Sequence, residues 1–261
     1  MFSIAALVPS PPILVPELCG GVARVTGADP VGAPALLRAA ALEAAGALAV
    51  ARHWLVIGAG AADEQLAPGT LGTFRGFGVD TRVALSNPAL STRSADDMPD
   101  PQLPLPVLIA GWLRGQVAPA AEASARIVAA DTSTARCAEI GAELRTVLDS
   151  APEQLGVLVI ADGAATLSTA APGYLDTRAT AVQDDLDRAL AAGDRAGLLA
   201  LDPALCAELT MSGRAAYQVL AGLFAADSSD PEVETLYQDA PFGVGYQVSV
   251  WRPVRGRGDT P

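Results

Sequence analysis

The residues best able to do chemistry stand just after apolar runs. Ser10 sits in Val8-Pro-Ser-Pro-Pro-Ile-Leu-Val-Pro-Glu17, directly behind the run Ile4–Val8. Asp162-Gly163 follows Gly156–Ala161, and Gly58-Ala-Gly60 with Asp63 follows His53–Ile57. A serine beside a carboxylate could serve as nucleophile and base. Asp63, Asp131 and Asp162 could together form an all-oxygen metal site, although carboxylates at such positions commonly form turns or cap helices. Histidine chemistry is limited by count. His53 is the single histidine, seven residues ahead of Gly60 and about 20 Å from the exit end at ~3.3 Å per residue. Hence a two-histidine iron or zinc centre is excluded within one chain, and a Ser-His-Asp triad is disfavoured because His53 is at the wrong end of its strand. No Gly-x-Ser-x-Gly elbow occurs, the third glycine of a dinucleotide fingerprint is replaced by Asp63, and no lysine exists for a phosphate loop. Cys19, Cys137 and Cys206 are far apart and read as small hydrophobes.

These residues need strands to present them. Strands are expected at Ile4–Val8, His53–Gly58, Ala125–Ala130, Gly156–Ala161 and Gly243–Trp251, with a short one at Thr81–Leu85. Helices are expected over 35–51, 107–114, 135–150, 180–192, 195–200, from Asp202-Pro203, and over 213–225. Residues 61–102 read as a long Gly/Pro/Ser/Asp excursion that could line a site. Strands alternating with helices predict an α/β fold: a mostly parallel or mixed central sheet with helices on both faces. Residues 1–252 are expected to form a single domain and 253–261 a flexible tail. Prolines would hold the Ser10 loop extended beyond its strand, where open α/β sheets build pockets.

Bulk properties narrow the function. The chain has 261 residues, 51% hydrophobic and 18% charged, with net charge -12. All 17 basic residues are arginine, and their one cluster, Arg252, Arg255 and Arg257, lies near the end. That composition argues against nucleic acid and an anionic membrane surface as partners. No transmembrane run or signal-peptide pattern is present, so a cytoplasmic location is expected.

The exits taken together resemble a known family. Pro9-Ser-Pro-Pro-Ile-Leu-Val-Pro-Glu17 resembles the Pro-His-Pro-Pro opening of the class III extradiol ring-cleavage dioxygenase catalytic-subunit superfamily. Val157–Gly163 through Ala171-Pro-Gly-Tyr-Leu-Asp176 is similar to the segment carrying its Gly-Asp-x-Ser-His motif. Gly213–Gly222 and Ala240-Pro-Phe-Gly-Val-Gly-Tyr246 resemble its last helix and strand, in the manner of an actinobacterial branch. The resemblance implies an extradiol-dioxygenase-like fold with Fe(II) held by two histidines and a glutamate. Here Ser10 stands at the first histidine position, Gly58-Ala-Gly60 offers no second one, and the Ser-His pair falls near Thr166 and Leu167. Glu232 and Glu234 are the candidates for the glutamate. The expectation is therefore a degenerate member with no metal ligands and no cofactor, keeping a strand-end pocket for a small molecule or a partner, which includes a homo-oligomer. Ser10, Pro12, Gly58, Gly60, Asp63, Asp162, Gly163 and Tyr174 are its expected lining. The alternatives are an oxygenase with an atypical metal site or a metal-free enzyme using Ser10 and Asp162.

Overall fold

The computed structural model describes residues 2–19, 32–87 and 98–254. The region expected as a tail lies largely outside them, as do Arg255 and Arg257. Near the centre of the sheet is β1 (Ala5–Val8), four apolar residues buried on both faces. Parallel neighbours extend the sheet in one direction: β7 (Leu155–Ile160), then β2 (His53–Gly60), then β6 (Glu122–Ala129). The sheet is completed by antiparallel strands, β3 (Glu64–Leu66) beyond β6, and on the other side β9 (Tyr246–Arg252) and β8 (Glu232–Asp239). The order is therefore β3-β6-β2-β7-β1-β9-β8, a mixed seven-stranded sheet. A separate two-stranded hairpin pairs β4 (Leu71–Thr73) with β5 (Arg82–Ala84).

Side-chain alternation along the strands splits the core into two halves. Ala6, Val8, Val56, Leu158, Ile160, Val248 and Val250 pack with α1 (Ala33–Gly46) and α2 (Leu105–Val117). Ala5, Leu7, Ile57, Val157, Val159 and Trp251 pack with the helices on the opposite face. These are α3 (Thr134–Ser150), α4 (Ala179–Ala192), α5 (Arg195–Leu199), α6 (Pro203–Glu208) and α7 (Arg214–Leu223). Helix starts follow local chemistry: Ser133 accepts from Arg136 N, and Asp202 accepts from Leu205 N ahead of Pro203. Among the described residues, no helix is long and apolar enough to cross a membrane.

Three expectations change. Apart from the turn at Asp63, the described part of the expected excursion does not lie at the strand exits. Its hairpin packs at the other end of the sheet, where Ala123 N of early β6 donates to Leu85 O and Arg114 Nε of α2 donates to Ala84 O; residues 88–97 of this excursion lie outside the described part. Strand β8 was not expected at all. Finally, Glu232 and Glu234 lie on β8 opposite Arg252 and Val250, towards the end of the sheet away from the exits. They are thus unsuited to a site there.

Candidate functional site

The four parallel strands end together, so their exit loops share one edge of the sheet. After β1 the chain turns towards α1, and after β7 it turns towards α4, on opposite faces. The point between β1 and β7 is therefore where an open α/β sheet opens a crevice. Ser10, which is buried, and Asp162 meet at this point, each two residues past a paired position, Val8 with Ile160. Ser10 N donates to Asp162 Oδ1 at 2.8 Å, and Ser10 Oγ donates to Asp162 Oδ2.

Neighbouring elements hold both groups rigidly. The Ser10 loop continues into a 3-10 turn, Pro12–Leu14, and buries Leu14 and Val15. Arg38 of α1 reaches back and donates to the carbonyls of Leu14 and Ile13 at 2.7 and 2.8 Å. On the β7 side, Gly213 N donates to Asp162 O at 3.0 Å, and the Tyr217 hydroxyl donates to Ala161 O at 3.2 Å. Helix α7 is thereby docked on the strand exit. Gln183 of α4 accepts from Ala164 N at 2.9 Å and donates to Asp187 at 2.7 Å. Its amide lies where a side chain at Gly163 or Gly245 would have to go, so a side chain at either position would displace Gln183.

Asp162 keeps part of its surface open, yet protein crowds its carboxyl on almost every side. Burial pushes its pKa above the usual carboxylate range, and the two bonds from Ser10 offset this only in part. Register adds a third polar residue. Strand β9 pairs with β1 as far as Leu7 and Ser249, and just before it Gly245 accepts from Gly163 N and donates to Ala164 O, which sets Tyr246 beside the Asp162 exit. Tyr246 is buried in the half of the core that holds Val8 and Ile160. Its phenol is pushed well above the ordinary tyrosine range by burial and then by the charge of Asp162.

The remaining expected residues separate. Gly163 is at the site, packed on Gln183, and Pro12 opens the turn behind Ser10. Gly58 is no lining residue, because Pro106 of α2 and Ile127 press against its open side; Ile127 does the same at Gly60. Asp63 is a turn residue whose Oδ1 accepts from Ala129 N at 3.1 Å and lies 3.8 Å from Arg126. Tyr174 is exposed in a left-handed backbone position within the 161–178 loop. Thr166, near the expected Ser-His position, is buried with its hydroxyl on Leu209 O. His53 is half-exposed at the start of β2, 3.4 Å from Glu153. Tyr246 and Gln183 were not expected as site residues. Neither gives a local signal in the sequence.

Iron does not fit these residues. Mononuclear Fe(II) calls for two imidazoles and a carboxylate with open positions. The crevice offers one hydroxyl and one carboxylate already bonded to each other, and the sole imidazole is at the far end of β2. The all-oxygen alternative fails on geometry too. Among the described residues, no three of His, Cys, Asp or Glu come close enough to share an ion, so Asp63, Asp131 and Asp162 are not gathered.

No family model matches the sequence, and no curated protein matches it. Among solved structures, the crystal structure of uncharacterized protein JW3007 from Escherichia coli K12 is similar over 96% of this chain and 99% of that one, at a TM-score of 0.52 and 13% identity. At that identity the likeness concerns the α/β fold alone.

Proposed function

We propose that this chain is an extradiol-dioxygenase-like protein that works without the family's iron. It uses the crevice between the β1 and β7 exits to bind a small molecule. The observation that carries this reading is the double hydrogen bond between Ser10 and Asp162. In the resembling family that loop position carries an imidazole for the metal. Here it carries a side chain that satisfies the neighbouring carboxylate directly. The rigid frame of Arg38, Gly213 and Gln183 supports a preorganised site rather than a remnant. Three unpaired cysteines support a cytoplasmic setting.

Iron content is the test. Purified protein loaded with Fe(II) without oxygen, then desalted, is expected to hold far less than one iron per chain by elemental analysis. Stoichiometric iron that disappears in Ser10→Ala would overturn the reading.

A further inference from the structure

A serine hydroxyl is a weak nucleophile until a base takes its proton. Ser10 Oγ already donates to Asp162 Oδ2, while Ser10 N on Oδ1 fixes the orientation of the carboxylate. None of the ion pairs among the described residues involves Asp162, so no cation quenches it as a base. Burial raises its pKa, which brings its basicity closer to neutral pH. Tyr246 follows Gly245, which exchanges backbone bonds with Gly163 and Ala164 just past Asp162, and it is buried in the half-core that holds Val8 and Ile160. Its phenol stays protonated and is therefore a donor. The next strand brings Asp239 opposite Tyr246, a second carboxylate on this edge.

We propose that Ser10 is an acyl-accepting nucleophile, with Asp162 as its general base and Tyr246 as the donor to the oxyanion. The two carboxylates and the net charge of -12 select an uncharged acyl group, presented as an ester or thioester. In the first step Ser10 Oγ bonds to the carbonyl carbon as its proton passes to Asp162. The carbonyl oxygen takes the negative charge beside Tyr246. Collapse of the adduct breaks the bond to the leaving alcohol or thiol, which takes the proton from Asp162. Water then gives a proton to Asp162 and bonds to the acyl carbon. The acyl–Oγ bond breaks, and the proton returns to Oγ. No oxidant or metal is needed.

This inference rests on the metal-free reading, because an ion on the pair would occupy the base. The full chain, treated with chelator and desalted, is incubated with p-nitrophenyl acetate. Released p-nitrophenolate is followed, and the acetylated residue is mapped by peptide mass spectrometry. The chain has no lysine, so acetylated lysine adds no background to the map. The expected result is one acetyl group on Ser10. Asp162→Asn should slow its formation roughly 10²-fold, as loss of a general base does. Tyr246→Phe should slow it to a similar degree, with circular dichroism confirming that each variant is folded. A wild-type chain unlabelled at Ser10, or one labelled equally fast in folded Asp162→Asn, overturns the proposal. Iron content, measured on a separate sample, decides the metal-free reading independently.

Discussion

Asp162 and Asp187 are two carboxyls that the fold makes hard to ionise. Burial raises both, and hydrogen bonds from Ser10 and from Gln183 respectively offset part of the shift. A carboxyl whose folded pKa is raised adds stability that is complete below the unfolded value of 3.8. That stability is lost as pH rises through the folded value. Asp162→Asn removes the titration while keeping a carbonyl acceptor for Ser10. Urea unfolding of both proteins should therefore show wild type at its best relative to the variant near pH 3.5, about the ordinary carboxylate range. Its standing should decline towards pH 7; a gap moving the other way would contradict the raised pKa. Ser10 and Asp162 were legible in the sequence because each follows an apolar run long enough to be a buried strand. Tyr246 was not, since it enters the site through antiparallel pairing with a strand more than two hundred residues away. Gly58 and Gly60 misled in the opposite direction. Glycines after a strand can clear room for a ligand, but here they clear room for Pro106 and Ile127.

At the scale of elements, helix contacts are set by backbone approach as much as by side-chain size. Helices α3 and α7 come so close that a side-chain carbon at Gly141 would overlap the backbone at Val219 and Gly222, and one at Gly222 would overlap Ala138. Gly141→Ala should therefore destabilise the protein by about 1–3 kcal/mol, as overpacking does. Gly115, exposed in α2 with nothing near its open side, gives the control. The same substitution there should stabilise by about 0.5–1 kcal/mol through helix propensity. Equilibrium urea denaturation checks both, and equal signs would remove the backbone-contact argument. Such contacts leave little trace in sequence, where the two glycines look alike. Strand β8 was hidden for a related reason. Its eight residues carry no buried position, and a bulge between Thr235 and Tyr237 breaks the two-residue rhythm. In strand β9 six of the seven residues are buried, because it lies inside the sheet with helices on both faces. Periodicity reports a half-solvated strand well and a fully covered one poorly.

For the whole molecule, the question is whether two half-cores on opposite faces melt as one. Strands β1, β7 and β2 each contribute side chains to both halves, Ala6 and Val8 to one, for example, and Ala5 and Leu7 to the other. Losing the α1–α2 layer would strip these strands on one face and loosen the ladder on which the other face is built. Cooperativity should then span the molecule, in keeping with a single α/β domain. The tryptophans supply a probe for each half. Trp54 is buried with the α1–α2 layer, its indole donating to Leu48 O at 3.1 Å, and Trp251 is buried on the opposite face beside Phe224. With Trp112 replaced by phenylalanine in both, one variant keeps only Trp54 and another only Trp251. Each is followed in urea by fluorescence and by far-ultraviolet circular dichroism. Within each variant the two signals should give coincident transitions, since the fluorescence reports one face and the dichroism reports the whole chain. A Trp251 signal lost at lower urea than the dichroism would mean that the α3–α7 layer opens first. That layer carries Gly213 and Gln183, so the Ser10–Asp162 crevice would then lose its frame before the sheet unfolds.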